Sequence, residues 1–257
     1  MATEKELMAA RIFLRAVLPV IKVLVEEHPK IRDKFADVSA RVQFTAKDPG
    51  GDIGAALVFD RGAFQVEQGL GEKADITFSF GSVAAMNAMF AGKPALPRIK
   101  GMLRVGLLIK VLTLLLALKI LMPNSRPTDP EKKRLKVKMT FYMITTALSQ
   151  YNKGGHPDMV KWTRPQPERI YQITVDDDIA AYLRVKAGKT KAGRGRYAKR
   201  RPFVHMKFNG VDGAMPVVLN DVDMVTAIKE GMLSVDGPPE YGRDIGDFMM
   251  QIQELIT

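Results

Sequence analysis

The chain contains no cysteine. A disulfide framework, a thiolate metal site and a cysteine nucleophile are thereby excluded, and a reducing compartment fits. Histidine is scarce. His28, His156 and His205 are scattered, and no two have the spacing of a metal-ligand pair. His205 alternates with Val204 and Met206, so it is expected to face outward beside Lys207. The three carboxylates at 176–178 read as a turn. The one tryptophan, Trp162, reads as a docking residue in a loop between elements. Long uncharged hydrophobic runs are also missing. The greasiest stretch, GLLIKVLTLLLALKILM at residues 106–122, is broken by Lys110 and Lys119 and preceded by Arg104. Its longest uncharged run, 111–118, is eight residues, whereas a span needs about 20. A charge near the middle of a span costs about 2.5–3.5 kcal/mol, so the stretch reads as a soluble helix with a very broad apolar face. Such a helix must be covered by something.

What is present describes an ordinary globular chain. It has 257 residues, 46% hydrophobic and 26% charged, with a formal net charge of +11. That charge suits acidic partners: phosphate head groups, nucleic acid or coenzyme A esters. It is unevenly placed. Residues 184–207 hold ten Lys or Arg and no acid, while residues 208–257 hold nine acids and two bases. The N-terminal stretch shows no signal-peptide pattern, because Arg11, Arg15 and Lys22 break its apolar positions. Ile12, Val17, Leu18, Ile21 and Val25 instead mark a helix face. The expected location is the cytoplasm, with peripheral contact to a membrane left open.

Four short alternating runs follow the first helix: ARVQFTAKD, DIGAALVFD, GAFQVEQG and ADITFSF. The turn signals PGG and DRG separate the first three. They read as four antiparallel strands, with Val42, Phe44 and Ala46 on one face and Ile76, Phe78 and Phe80 on another. SVAAMNAMFAGK reads as a helix capped by Ser82 and stopped at Gly92. PRIKGM is a fifth strand, and residues 106–122 form the closing helix. MPNSRPTDPEKK, with three prolines, reads as a linker between domains at 1–124 and 125–257. A helix starting near Thr128 or Asp129 and ending at a Gly pair opens the second domain. RIYQITVDD, AAYLRVKAGK, PFVHMKFNG and AMPVVLND read as strands, then VDMVTAIKEGM as a helix, LSVDGP as a strand and a final helix. The order strand, helix, short strand, helix thus occurs twice, with Ile99-Lys100-Gly101 beside Val235-Asp236-Gly237. Two copies of one α+β domain are expected. AGKT at 187–190 lacks the spacing and following helix of a phosphate loop.

On Ala74-Asp75-Ile76-Thr77-Phe78, SVAAMNAMFAGK and RIKGMLRVGLLIKVL, the first half resembles the sterol carrier protein type 2 family. AKDPGGDIGAALVF resembles that family's first hairpin. The resemblance covers roughly residues 29–121. Residues 215–256 resemble the family more weakly, without the Ala-Asp strand opening or the Gly-Lys helix end. The resemblance implies two tandem domains, the second divergent, each a mostly antiparallel five-stranded sheet covered by helices. It also implies an apolar tunnel between sheet and helices for a sterol, fatty acyl chain or acyl-coenzyme A, held without chemistry and without a cofactor.

A ligand cavity is concave and mostly apolar. The expected walls are Phe78 and Phe80 on the sheet, Met86, Met89 and Phe90 on the middle helix, Met102 after the fifth strand, and Leu107, Leu108, Val111, Leu112 and Leu115 on the closing helix. Residues 108, 111, 112 and 115 share one helical face, with Leu114, Leu116, Leu118 and Leu121 off that stripe. The same residues also suit a plain packed core. For the basic run, Lys189, Lys191, Arg194, Arg196, Lys199, Arg200 and Arg201 are candidate contacts to an anionic membrane. A solvated loop and nucleic-acid binding are the alternatives there. The expected role is a lipid-binding or lipid-transfer protein that is not an enzyme. An accessory subunit presenting acyl substrates to a partner enzyme is the alternative.

Overall fold

The computed structural model describes residues 1–71 and 73–257. The chain divides into two compact units, residues 1–122 with 256–257, and residues 123–255.

Unit 1 opens with a long helix, α1 (Glu4–Ile12) running through a π turn (Phe13–Val17) into α2 (Leu18–Glu27). Thr3 and Glu6 cap it reciprocally. The π turn lies just before Pro19, which has no N–H to donate and crowds the carbonyl one turn earlier. Its predicted face, Ile12, Val17, Leu18, Ile21 and Val25, is buried, but so are Phe13, Leu14, Ala16, Val20, Val23 and Leu24. This helix, rather than the leucine-rich one, is buried around most of its circumference. After α3 (Pro29–Phe35) come β1 (Ser39–Ala46), β2 (Ile53–Asp60), β3 (Ala63–Gln68) and β4 (Ile76–Phe80). The unit closes with α4 (Val83–Phe90), β5 (Arg98–Lys100), α5 (Val105–Ala117) and a 3-10 turn (Leu118–Leu121). As expected, the Ser82 hydroxyl caps α4. The sheet order is β3-β2-β1-β4-β5. One expectation fails. β4 runs parallel to β1, so the four strands are not all antiparallel; alternation reports burial and carries no direction.

Unit 2 has α6 (Pro130–Lys153), α7 (Pro157–Thr163), β6 (Arg169–Val175), β7 (Ile179–Lys186), β8 (Lys189–Arg194), β9 (Val204–Phe208), α8 (Gly210–Val218), α9 (Met224–Lys229), β10 (Leu233–Asp236) and α10 (Pro239–Ile256). Asp129 caps α6 as predicted. AMPVVLND is not a strand. It lies mostly in α8, and its Pro216 already argues against a sheet interior. A strand absent from the sequence reading, β8, runs through the basic segment at the sheet edge. The Ala187-Gly188 pair of AGKT is the two-residue turn of the β7–β8 hairpin, both residues at positive φ, and Lys189 and Thr190 begin β8. Trp162 sits in α7 rather than in a loop.

Both units are α+β, and their sheets share one topology. Unit 2 is ordered β10-β9-β6-β7-β8, the first sheet's order read from the other edge, with β9 parallel to β6 as β4 is to β1. Gln43 and Gln172 occupy the same register position. Each buried amide donates to the carbonyl of the next residue and to a glycine carbonyl just past the third strand, Gly69 or Gly195. Gly101 and Gly237 correspond as the sequence suggests. A Cβ on Gly101 would lie 2.0 Å from the Asp75 carbonyl oxygen, and one on Gly237 2.2 Å from that of Phe203. Each glycine lets the end of the fifth strand press on the backbone that leads into the fourth.

Candidate functional site

The strand register of unit 1 gathers Val42, Phe44 and Ala46, Ile76, Phe78 and Phe80, and Leu57 and Phe59 on one face of the sheet. α4 lies over β1 and β4, and α1 packs on α4. Phe90 of α4 stacks on Phe13 with ring centroids 5.4 Å apart and tilts against Phe44 at 5.5 Å; Phe44 stacks on Phe78 at 5.1 Å. Four rings thus run from the first helix into the sheet. Phe35, Phe59 and Phe64 form a second row under α3. Of the expected wall residues, Phe78, Phe80, Met86, Phe90 and Val111 are buried. Met89, Leu107, Leu108 and Leu115 are half-buried, and Met102 and Leu112 are exposed. Phe78 and Phe90 spend their ring faces on other rings, which is what a packed core does. The incompletely covered apolar surface is concentrated along α5.

α5 turns a different side inward than its leucine pattern suggests. Val111, Leu114 and, in the following turn, Leu118 are buried. They are spaced one and two turns apart. Leu114 and Leu118 were expected off the inward stripe, and Leu112 on it. An all-aliphatic run has no polar side to orient it, so periodicity alone does not select the face. The start of α5 is tied by Arg104, whose guanidinium lies 2.9 Å from the Asp75 carboxylate. Asp75, from the Ala-Asp strand opening, also accepts from the Arg41 backbone N–H at 2.8 Å.

The corresponding corner of unit 2 is built differently. Phe203 replaces Asp75, and the Arg169 guanidinium lies 4.0 Å from its ring centroid and 4.4 Å from that of Tyr241 in α10. Trp162 packs on Tyr171, Tyr241 and Phe248, and its Nε1 donates to Asp244 at 2.8 Å. α10 is therefore locked by a cluster of rings, whereas α5 has one half-exposed ion pair at its start. Beneath α6 lies a hydrogen-bonded network that sequence reasoning missed. The Thr163 hydroxyl donates to Asn152 Oδ1 at 2.7 Å, Asn152 Nδ2 to the Gly188 carbonyl at 2.8 Å, and Ser149 to the Thr190 hydroxyl at 3.2 Å. Thr145, Ser149 and Asn152, one turn apart along α6, were the visible signal. Lys136 on the same helix is buried, and burial, then the charge of Arg126, pushes its ammonium down to about 8.

The basic run is partly neutralised. Arg184, Lys186 and Arg200 converge on Glu168. Arg196 pairs with Asp177, and Lys207 with Asp236. The Arg194 guanidinium lies over the Tyr142 ring, 4.9 Å from its centroid. Of the candidate anion contacts, Lys189, Lys191, Lys199 and Arg201 are exposed and form no ion pair among the described residues. Lys189 and Lys191 point outward from β8, where charge also blunts an open sheet edge. His205 shares its sheet face with Lys207 as expected, 3.0 Å from the Thr174 hydroxyl. No group of three His, Asp or Glu side chains gathers as a metal site among the described residues. Nor is any described helix long and apolar enough to cross a membrane.

No family model and no curated protein matches the chain. Among solved structures it is similar to sterol carrier protein 2 like 2 from Aedes aegypti: 14% identity over 43% of this chain and 97% of that one, TM-score 0.30. It is also similar to a conserved Thermus thermophilus protein suggested to be a sterol carrier, at 15% identity over 46% of this chain and 90% of that one, TM-score 0.32. A third is an inverting sec-alkylsulfatase from a Pseudomonas species, at 13% identity over 56% of this chain and 28% of that one, TM-score 0.26.

Proposed function

We propose that unit 1 is a lipid carrier, holding a sterol-like molecule, a fatty acyl chain or an acyl-coenzyme A between its sheet and α5, and that α5 is the gate. The observation that supports this reading most is the unequal anchoring of the two closing helices. α10 is fastened by Trp162, Phe203 and Tyr241, with the Arg169 guanidinium between rings. α5 meets its unit with Val111 and Leu114 fully buried and Leu107, Leu108 and Leu115 half-covered. Those half-covered side chains are surface an acyl chain would complete. Each ligand methylene buried there is worth about 0.8 kcal/mol, so a long chain binds without a dedicated polar contact. Methionine adapts its shape to different chains. Unit 2, with its hydrogen-bonded interior, is the less suitable container.

The role is carriage without chemistry, in the cytoplasm. Lipid retained by the native protein, with uptake of an acyl or sterol probe, tests the reading; a protein that neither retains lipid nor takes up either probe refutes it.

A further inference from the structure

α5 has a second apolar face, opposite the buried one. Val105, Ile109, Leu112 and Leu116 recur at helical spacing, and their exposures range from 41% at Leu112 to 59% at Ile109. Leu103, just ahead of the helix, is 100% exposed, and Met102 beside it is also exposed. Scattered exposed leucines need no explanation, but a contiguous stripe marks a contact surface.

Two observations identify the contact. The first is charge. From residue 76 to 122 there is no acid and there are six bases: Lys93, Arg98, Lys100, Arg104, Lys110 and Lys119. Arg104 is held by Asp75, and the other five form no ion pair among the described residues. Lys119, three residues beyond Leu116, extends the stripe with a cation. α3, which packs beside α5, adds Lys30, Arg32 and Lys34 against Asp33. The second is composition. The stripe is aliphatic throughout, with no Trp, Tyr or Arg, the side chains that anchor protein–protein interfaces. Aliphatic side chains flanked by Lys and Arg are what a helix lying in a membrane interface carries. Thirteen residues of helix are about 20 Å long, so α5 can lie in the surface but not cross the bilayer.

We propose that this face of α5 docks on an anionic phospholipid bilayer, with Val105, Ile109, Leu112 and Leu116 entering the acyl boundary and Lys119 and its neighbours meeting head groups. The docking does not require that unit 1 carry a lipid.

Flotation of the full chain with vesicles tests it, using phosphatidylcholine alone and phosphatidylcholine mixed with phosphatidylglycerol. The wild type should float with the mixed vesicles, weaken with added salt, and remain largely unbound with phosphatidylcholine alone. Ile109→Asp with Leu112→Asp should lower partitioning about tenfold or more while leaving the far-ultraviolet circular dichroism unchanged, since both side chains are exposed. Ile109→Leu with Leu112→Met should bind like the wild type, and so should Lys189→Ala with Lys191→Ala. The proposal is overturned if the double-Asp chain binds like the wild type. It is equally overturned if only the Lys189 and Lys191 changes release the protein, or if both vesicle types bind alike. It is overturned too if the wild type ignores vesicles and instead forms a dimer that the double-Asp chain does not, since the stripe would then face a second copy.

Discussion

Replacing Lys136 by Met should stabilise unit 2 at neutral pH. Lys136 is 1% exposed within α6, and burial, reinforced by the charge of Arg126, holds its ammonium at about 8 against an ordinary 10.5. Because the folded value is the lower one, the folded state disfavours the proton. Below pH 8 both states keep it, and the folded protein bears the full penalty. Between pH 8 and 10.5 only the unfolded chain is protonated, so stability rises with pH by about 1.4 kcal/mol per pH unit; above 10.5 the gain is complete. The gap of about 2.5 pH units corresponds to a penalty of about 3 kcal/mol. Methionine fills similar space without a charge. Lys136→Met should therefore gain up to about 3 kcal/mol at pH 7, less what the ammonium's own polar contacts return. The advantage over wild type should shrink steadily as pH rises from 8 towards 10. Urea unfolding followed by Trp162 emission reads this unit alone, because the only tryptophan sits against Tyr171, Tyr241 and Phe248 of the same unit. A Lys136→Met chain that is less stable than wild type at pH 7, with a difference that does not change with pH, would refute the reasoning.

The repeated corner is tested by Gly101→Ala and Gly237→Ala. Each places a Cβ against a backbone carbonyl at a positive φ, so each should cost more than about 1 kcal/mol, and only Gly237→Ala should move the urea transition seen by Trp162. The proposed lipid-contacting side of α5 is tested by Leu108→Trp and Leu115→Trp, which add bulk at two half-buried positions. They should reduce uptake of a fluorescent acyl probe several-fold, about 1 kcal/mol or more by the usual cost of overfilling, whereas Ala180→Val in unit 2 should leave uptake unchanged.

Most elements of unit 1 were legible because β1 and β4 alternate in sequence and PGG and DRG mark the turns. The parallel pairing of β4 with β1 was not, because it joins residues such as Phe44 and Phe78 that are distant in sequence. β8 was hidden by composition. Its exposed Lys189 and Lys191 and its Gly193 read as a loop, and only Thr190 is buried. AMPVVLND misled because a short apolar run does not distinguish strand from helix. That error aligned ADITFSF with the wrong partner, although Gly101 and Gly237 were matched correctly. Phe78, Met86 and Phe90 face inward as their spacing requires. The orientation of α5 was not found, because only its packing against the rest of unit 1 distinguishes Leu114 from Leu112. The equivalence of Gln43 and Gln172 needed the register to be seen.

Native mass spectrometry of the intact chain, followed by solvent extraction, tests lipid carriage most directly. The account predicts a population heavier than the apoprotein by one sterol or acyl-chain mass, released by organic solvent and restored by incubation with a long-chain fatty acid. It also predicts that Leu108→Trp lowers the loaded fraction. A chain that flies only at its apoprotein mass and takes up neither fatty acid, acyl-coenzyme A nor sterol would contradict it.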